Sequence, residues 1–287
     1  MHIAARLPKL IAFLALLALV AAPALAQKKE NEFPNATRKE PKLQISESSS
    51  KKINQAYGFL DEGEDDKARE LLDGILANAK SSKYEQALSL QGISQVLYNA
   101  DDIAGAIEAN EKAIAIDGLD NKSHFNLVYQ VAQMNLMDER YDAALAAIEN
   151  WFVLTGTESA DAWALKGNSL YRLERYPEAS VALKKAISLS TEPSDTWYQI
   201  LIASYYDAEN FPEAARAAEE VLARDPSKKT VARQLASIYI EMEQGPKAIE
   251  VLEAAKARGL LTDASDLRQL FQLYNYVERP ADAARTI

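Results

Sequence analysis

Hydrophobic positions recur at helical spacing along most of the chain. From Ile53 onward, apolar residues follow a period near 3.6 in segments of about twelve to fifteen residues, and Gly and Pro stand mostly at the short joints between segments. No run of alternating apolar and polar residues, which would indicate a β-strand, interrupts this pattern. The sequence therefore predicts an all-α protein.

The predicted helices form a repeat. A small alanine opens the second helix of each predicted pair, and successive alanines are 38, 38, 35, 35, 34 and 35 residues apart. They are Ala68, Ala106, Ala144, Ala179, Ala214, Ala248 and Ala283. A period of roughly 34 residues is typical of helix pairs that stack. We predict a right-handed superhelical solenoid of antiparallel helix pairs over residues 51–287, with about seven pairs, the last one truncated, and with the extra residues of the first two units in loops.

Residues 1–26 have the pattern of a secretory signal peptide. Arg6 and Lys9 precede an apolar run over residues 11–22, and an Ala-x-Ala motif ends the segment. This run is shorter than the roughly 20 residues that a membrane span requires. We therefore expect cleavage before Gln27 and a periplasmic protein rather than a membrane-anchored one.

Residues 27–50 show no sustained apolar period. The segment mixes Lys, Arg and Glu with Pro34, Pro41 and a run of serines. Such a composition offers little apolar surface to bury. We predict a flexible linker between the leader and the solenoid.

Composition limits the chemistry of the chain. The net charge is -10, and an acidic surface repels both phosphate backbones and anionic lipid, so we expect no nucleic-acid partner and no membrane contact after cleavage. There is no cysteine, His124 is the only histidine after the leader, and the glycines are scattered singly. Catalytic triads, Cys/His metal sites and phosphate-binding loops all need more than this. We expect a non-enzymatic protein without cofactor or metal.

The repeat resembles the tetratricopeptide repeat. In the best unit, residues 198–205 read Tyr-x2-Leu-Ile-x2-Tyr and residues 211–214 read Phe-Pro-Glu-Ala, which follows the family motif except at Ile202, where glycine is usual. Residues 163–183 match the motif at the same offsets. Several matches in phase make the resemblance specific.

The resemblance implies a binding groove on the concave face, which the first helix of each pair lines. The motif positions that point into the groove hold Gln95, Tyr98, Asn99, Tyr129, Gln133, Met137, Asn168, Tyr171, Arg172, Gln199, Tyr206, Arg233 and Ser237. Tyr98, Tyr171 and Tyr206 share one motif position. Tyrosine offers contact area at low entropic cost and amides satisfy a peptide backbone, so such a groove suits an extended or helical peptide.

Residues from about 150 to 287 resemble a narrower group, the periplasmic tetratricopeptide proteins associated with TonB-ExbB-ExbD energy-transduction systems of Gram-negative bacteria. The similar stretches are residues 151–152, 197–199, 233–236, 259–262, 266–270 and 279–280. The resemblance implies a protein partner in the cell envelope, with TonB-, ExbB- and ExbD-type components as the candidates. Such a complex couples proton flow across the inner membrane to uptake across the outer membrane.

Three alternatives stay open at this point. The first is a general assembly factor for outer-membrane proteins, pili or secretion systems. The second is a hydrolase of cell-wall glycan, which would need two inward-facing carboxylates within about 10 Å of each other. The third is self-association through an uncapped C-terminal end, where we expect Leu270, Phe271 and Tyr274 to lie uncovered.

Overall fold

The computed structural model describes residues 32–286, and within them every regular element is a helix. The helices are α1 Glu47–Asp61, α2 Asp65–Leu76, α3 Lys83–Asn99, α4 Ile103–Ile116, α5 Asn121–Met137, α6 Tyr141–Thr155, α7 Ala160–Arg172, α8 Tyr176–Leu189, α9 Asp195–Asp207, α10 Phe211–Arg224, α11 Lys229–Glu241, α12 Gly245–Ala257, α13 Ala264–Tyr276 and α14 Pro280–Ala283. They form antiparallel pairs that stack as a right-handed superhelical solenoid, which confirms the predicted fold class. The predicted signal peptide over residues 1–26 and residues 27–31 of the predicted linker lie outside the described residues.

The turn inside each helix pair has the same backbone geometry. One residue adopts a left-handed conformation, with φ between 56° and 73°, five positions before the repeat alanine. These residues are Gly63, Asp101, Glu139, Glu174, Glu209, Glu243 and Glu278. The alanines that defined the repeat are buried, each with 0–1% of its surface exposed. The sequence period thus marks a repeated structural unit.

Close helix packing within pairs depends on small residues. A β-carbon added at Gly167 on α7 would lie 2.6 Å from Cγ of Leu183 on α8, closer than van der Waals contact allows. Leu183 itself is completely buried. The glycine therefore lets the two helices approach each other, as ridge-and-groove packing requires.

The two longest repeat units owe their length to helices, not to loops. Helices α3 and α5 each have 17 residues, whereas α7, α9, α11 and α13 each have 13. The difference of four residues is about one helical turn. The expectation of loop insertions was therefore wrong, because the extra residues lengthen α3 and α5 instead of the joints between helices.

The segment before α1 packs on the solenoid, and we refer to residues 33–46 as the strap. Phe33 is only 7% exposed, and its ring packs edge-on against Phe125, with 5.1 Å between the centroids, and against Trp151, with 6.1 Å. The side-chain amide of Asn35 donates to the carbonyl oxygen of Gly156, at the end of α6, over 3.1 Å. One end of the strap is thus held against α5 and α6.

The middle and the other end of the strap lie at the N-terminal turns of α5 and α3. The Arg38 guanidinium donates to the Asp117 carboxylate over 2.6 Å and to Oδ1 of Asn121 over 2.6 Å. The backbone N–H of Ser46 donates to Oε1 of Glu85 over 2.7 Å. The strap therefore contacts the two helices that carry an extra turn.

This arrangement differs from the predicted flexible linker over residues 27–50. Within the described part, residues 33–46 follow the solenoid surface and Glu47 already begins α1. The reason is that isolated anchors such as Phe33 and Arg38 hold an extended segment in place without producing an apolar period.

The C-terminal pairs share one hydrophobic core cluster that extends from Leu183 to Ala283. Leu270 is fully buried and Tyr274 is 5% exposed in this cluster, while Phe271 is partly buried against it. The expectation that these three side chains lie uncovered was therefore wrong for Leu270 and Tyr274, because helix α13 packs them against α12 and α14.

Candidate functional site

The predicted binding residues all lie on first helices of the pairs, namely α3, α5, α7, α9 and α11. First helices of neighbouring pairs also contact each other, as α1 does with α3, α5 with α7 and α7 with α9. Contacts of similar extent between second helices do not occur within residues 32–286. Because helices approach more closely on the inner side of a curved stack, the first helices form its concave face, which we call the groove face.

None of the thirteen predicted residues is buried, so each presents at least part of its surface on the groove face. Their role in binding stays a prediction. The surroundings of these side chains differ along the groove face, which has three parts. They are a tyrosine row of Tyr171 and Tyr206, an amide chain of Gln95 and Asn99, and a charged C-terminal part around Arg233.

Two of the three equivalent tyrosines make the same contacts one repeat apart. The Tyr171 hydroxyl donates to Oδ2 of Asp207 over 3.0 Å, and the Tyr206 hydroxyl donates to Oε1 of Glu241 over 3.4 Å. Both acceptors belong to the first helix of the next pair. Burial, together with the hydrogen bond to Asp207, raises the pKa of Tyr171 to about 12, and the hydroxyl therefore stays a protonated donor.

Each ring of this tyrosine row packs against a second aromatic ring. Tyr171 packs on Tyr176, with 5.6 Å between ring centroids, and Tyr206 packs edge-on against Phe211 at 5.4 Å. Tyr176 and Phe211 are the first residues of α8 and α10, which are the second helices of the same pairs. Aromatic contacts of this kind fix the orientation of a side chain, so the rings are pre-positioned for contact with a partner.

The amides on α3 form a chain. The Gln95 side chain donates to Oδ1 of Asn99 over 2.8 Å, and Asn99 donates in turn to Oδ1 of Asp65 on α2 over 2.9 Å. On α5, by contrast, Tyr129 packs on Trp151 with 5.7 Å between ring centroids and belongs largely to the core, while Met137 is 41% exposed. The N-terminal half of the groove face thus offers both polar and apolar contacts.

The C-terminal part of the groove face contains two adjoining cavities. One, of about 280 Å³, is lined by Arg233 and Ser237 of the predicted set together with Lys229 and Gln269. The other, of about 260 Å³, is lined by Gln199 and continues towards α9. Lys229 and Thr230 line both cavities, which therefore lie side by side.

Sequence reasoning predicted Arg233 at these cavities but missed the charged residues around it, Lys229, Asp263 and Asp266. Lys229 forms ion pairs with Asp263 over 3.0 Å and with Asp266 over 2.5 Å, and Arg233 lies 3.3 Å from Asp266. Burial raises the pKa of Asp266, but the hydrogen bonds from Lys229 and the Asp263 backbone outweigh it, so the pKa is lowered overall. An Asp-x-x-Asp sequence just before an apolar run, a helix N-terminus signature, was the available signal.

His124 lies in the core. It is 5% exposed on the first turn of α5, and burial, aided by the charge of Arg38, lowers its pKa, so the imidazole is neutral near pH 7. Among residues 32–286, no group of three or more His, Asp or Glu side chains is arranged to hold a metal ion. In the same part of the chain no helix has the length and hydrophobicity of a membrane span.

These features define the class of the protein as a helix-pair solenoid with a groove face on its first helices. Residues 135–190 and 205–269 each match the tetratricopeptide-repeat family. These two stretches of the chain are tetratricopeptide repeats. No curated protein is significantly similar to it in sequence.

Solved structures show the same fold. The C-terminal part of a tetratricopeptide repeat-containing protein from Cytophaga hutchinsonii is 15% identical with a TM-score of 0.58, over 82% of this chain and 93% of that one. A tetratricopeptide repeat protein from Parabacteroides merdae is 15% identical with a TM-score of 0.55, over 84% and 91%. A MamA protein is 20% identical with a TM-score of 0.53, over 63% and 97%. At these identities the similarity establishes the fold alone.

Proposed function

We propose that the chain is an exported, periplasmic scaffold that binds another protein on its groove face, as an accessory component of a TonB-type energy-transduction system. The observation that carries the binding role is the tyrosine row, in which Tyr171 and Tyr206 are partly exposed, hydrogen-bonded and supported by a second aromatic ring. Tyrosines held in this way are common anchors of protein interfaces. Neither a cofactor nor a catalytic step is part of the proposal.

The location and the pathway are supported by sequence features. The leader pattern over residues 1–26 favours export, and the resemblance of residues 150–287 to TonB-associated periplasmic proteins favours that system over general envelope assembly. The partner would therefore belong to an inner-membrane complex with a periplasmic part, and TonB, ExbB and ExbD are the first candidates.

An affinity capture from crosslinked cell-envelope fractions tests both parts of the proposal. The bait is the chain from Gln27 onward, beside a variant in which Tyr98, Tyr171 and Tyr206 are changed to Ala. We expect TonB-system components on the first bait and a loss of about tenfold or more on the variant, because truncating a tyrosine that is a hot spot of the interface costs about 2 kcal/mol or more.

A matched control variant carries Val153→Ala and Val181→Ala on second helices, where these side chains are 80% and 66% exposed. It should capture the same proteins as the unchanged bait. Equal capture by the tyrosine variant would contradict the assigned groove face, and enrichment of assembly-machinery proteins instead would contradict the TonB-type role.

A further inference from the structure

Two nitrogen-bearing side chains converge on one carboxylate oxygen where the strap crosses the joint between α4 and α5. Oδ1 of Asp117 accepts from Nε of Arg38 over 2.9 Å and from its Nη2 over 2.6 Å, and Nδ1 of His124 lies 3.9 Å from the same oxygen. Asp117 is the C-cap of α4, and His124 is on the first turn of α5. The cluster therefore joins the strap to the second and third helix pairs.

Arg38 and His124 are both shielded from water. The Arg38 side chain is 9% exposed and His124 is 5% exposed. Arg38 also donates from Nη1 to Oδ1 of Asn121 and from Nη2 to the carbonyl oxygen of Leu119. Nδ1 of His124, by contrast, is buried and has no hydrogen-bond partner. A proton on this ring would place a second positive charge near the guanidinium, where little water screens the repulsion.

The docked strap disfavours the imidazolium form of His124. Burial is the largest cause and the charge of Arg38 the next, and together they outweigh the attraction of Asp117 and lower the pKa of His124 below 6.5. When the strap leaves, the guanidinium leaves with it, and Asp117 then acts on the imidazole without that opposition. Because the released form binds the proton more strongly, protonation must favour release.

The other titratable groups near the start of α5 do not replace Arg38 in this competition. Asp120 accepts two hydrogen bonds within the first turn of α5, and Lys122 is exposed. On α3, Lys83 is exposed, and the pKa of Tyr84 is raised above 10 by burial and by Asp120, so its hydroxyl is neutral in acid. On α7, Asp161 acts on a tyrosine further along α5. The last turns of α4 and α6 contain no charged residue.

We propose that this cluster is a pH-sensitive latch, in which the strap stays docked while His124 is neutral and is released when His124 binds a proton. Docking carries no penalty from His124 at a pH above the pKa of the released form. As the pH falls below that value, the docking constant decreases by up to about tenfold per pH unit until the pKa of the docked form is reached. Release uncovers Phe125 and Trp151, on which Phe33 packs.

Proton NMR reports the protonation of His124 directly, because the untagged chain from Gln27 onward contains no other histidine. We expect its ring resonances to titrate with a midpoint below 6.5 in the unaltered chain. In Arg38→Gln the midpoint should rise by about one pH unit, since a nearby like charge is removed. Lys42→Gln, which removes a strap cation at an exposed position, should leave the midpoint unchanged. Equal midpoints in Arg38→Gln and in the unaltered chain would overturn the latch.

Trypsin cleavage after Arg38 measures release, because this side chain is inaccessible to a protease while the strap is docked. The rate is compared with that of His124→Gln, which does not titrate, at pH 7 and at pH 5. The ratio of the two rates removes the effect of pH on trypsin itself. We expect the ratio of the unaltered chain to the variant to rise about fivefold or more at pH 5.

A ratio that is the same at both pH values would also overturn the latch, because release would then not depend on the proton at His124. If His124→Gln weakens docking at every pH, the ratio still reports the latch, since only its change with pH is used. The NMR titration does not need this variant and decides the question even if His124→Gln fails to fold. Neither measurement involves the tyrosine row, so a failure of the latch is distinguishable from a failure of the proposed function.

Discussion

At the scale of single residues, Glu85 connects the strap with the N-terminus of α3. Burial raises its pKa, but the backbone N–H groups of Ser46 and Ser82 outweigh burial and lower the pKa from 4.5 to about 2. Because the pKa in the folded state is depressed, the ionised carboxylate stabilises the fold above pH 4.5, and this contribution is lost as the pH falls towards 2.

Replacing Glu85 with Gln should therefore destabilise the protein in a pH-dependent way. We expect the free energy of unfolding to fall by about 1–3 kcal/mol at pH 7, and the difference from the unchanged protein to shrink to less than about half at pH 3. Urea denaturation followed by circular dichroism at both pH values measures it. Glu47→Gln, at an exposed site paired only with Lys51, is the control. A difference that is equal at both pH values would contradict the assigned hydrogen bonds.

Single residues also show how far the sequence determines the candidate site. The shared motif position of Tyr98, Tyr171 and Tyr206 follows from the repeat period, since one helical face recurs in each unit. The acceptors Asp207 and Glu241 do not follow from it. They belong to the next pair, and the rotation between stacked pairs, which decides the contact, is not encoded in the motif of one unit.

At the scale of elements, the turn inside each pair carries an unusual choice of residue. Six of the seven left-handed residues are Asp or Glu, and the remaining one is Gly63. A side chain with a β-carbon is disfavoured in this conformation by about 1–2 kcal/mol, whereas glycine adopts it freely. The repeat therefore carries a small strain at most of its turns.

Glu209→Gly, at a turn with φ of 57°, should relieve that strain. We expect the free energy of unfolding to rise by about 0.5–1 kcal/mol, because the relief exceeds the entropy that glycine adds to the unfolded chain. Thermal denaturation measures the change. Arg216→Gly, at a 72% exposed position inside α10, should instead destabilise by about 1 kcal/mol. If Glu209→Gly destabilises as well, the turn is not strained.

The repeat in the sequence predicts where the helix pairs lie but not how long each helix is. The alanine spacing located the pairs correctly, because a residue that is buried in every unit must be small at the same place. It did not locate the extra turns of α3 and α5, since a spacing of 38 residues fits a longer helix as well as a longer loop. The strap was missed for a related reason, as its anchors Phe33 and Arg38 are separate contacts with no period.

At the scale of the whole solenoid, the pairs belong to different core clusters. Phe33 is part of a cluster that continues through Trp151 to Ala182, whereas another cluster begins at Leu183 and ends at Ala283. In a stack where each pair contacts only its neighbours, stability is local, and parts of the array open separately. The strap contacts the second and third pairs, so its stabilisation should be confined to the N-terminal part of the solenoid.

Phe33→Ala tests whether the strap stabilises the N-terminal pairs alone. The substitution removes the ring packed on Phe125 and Trp151, and truncating a buried Phe typically costs about 3–5 kcal/mol. We expect amide hydrogen exchange in α5 and α6 to accelerate by about tenfold or more, with α11 to α13 unchanged. Leu43→Ala, at an exposed strap position, should leave every helix unchanged. Equal acceleration in α11 would mean that the solenoid opens as one cooperative unit, because a strap that contacts only the N-terminal pairs cannot otherwise influence a helix three pairs away.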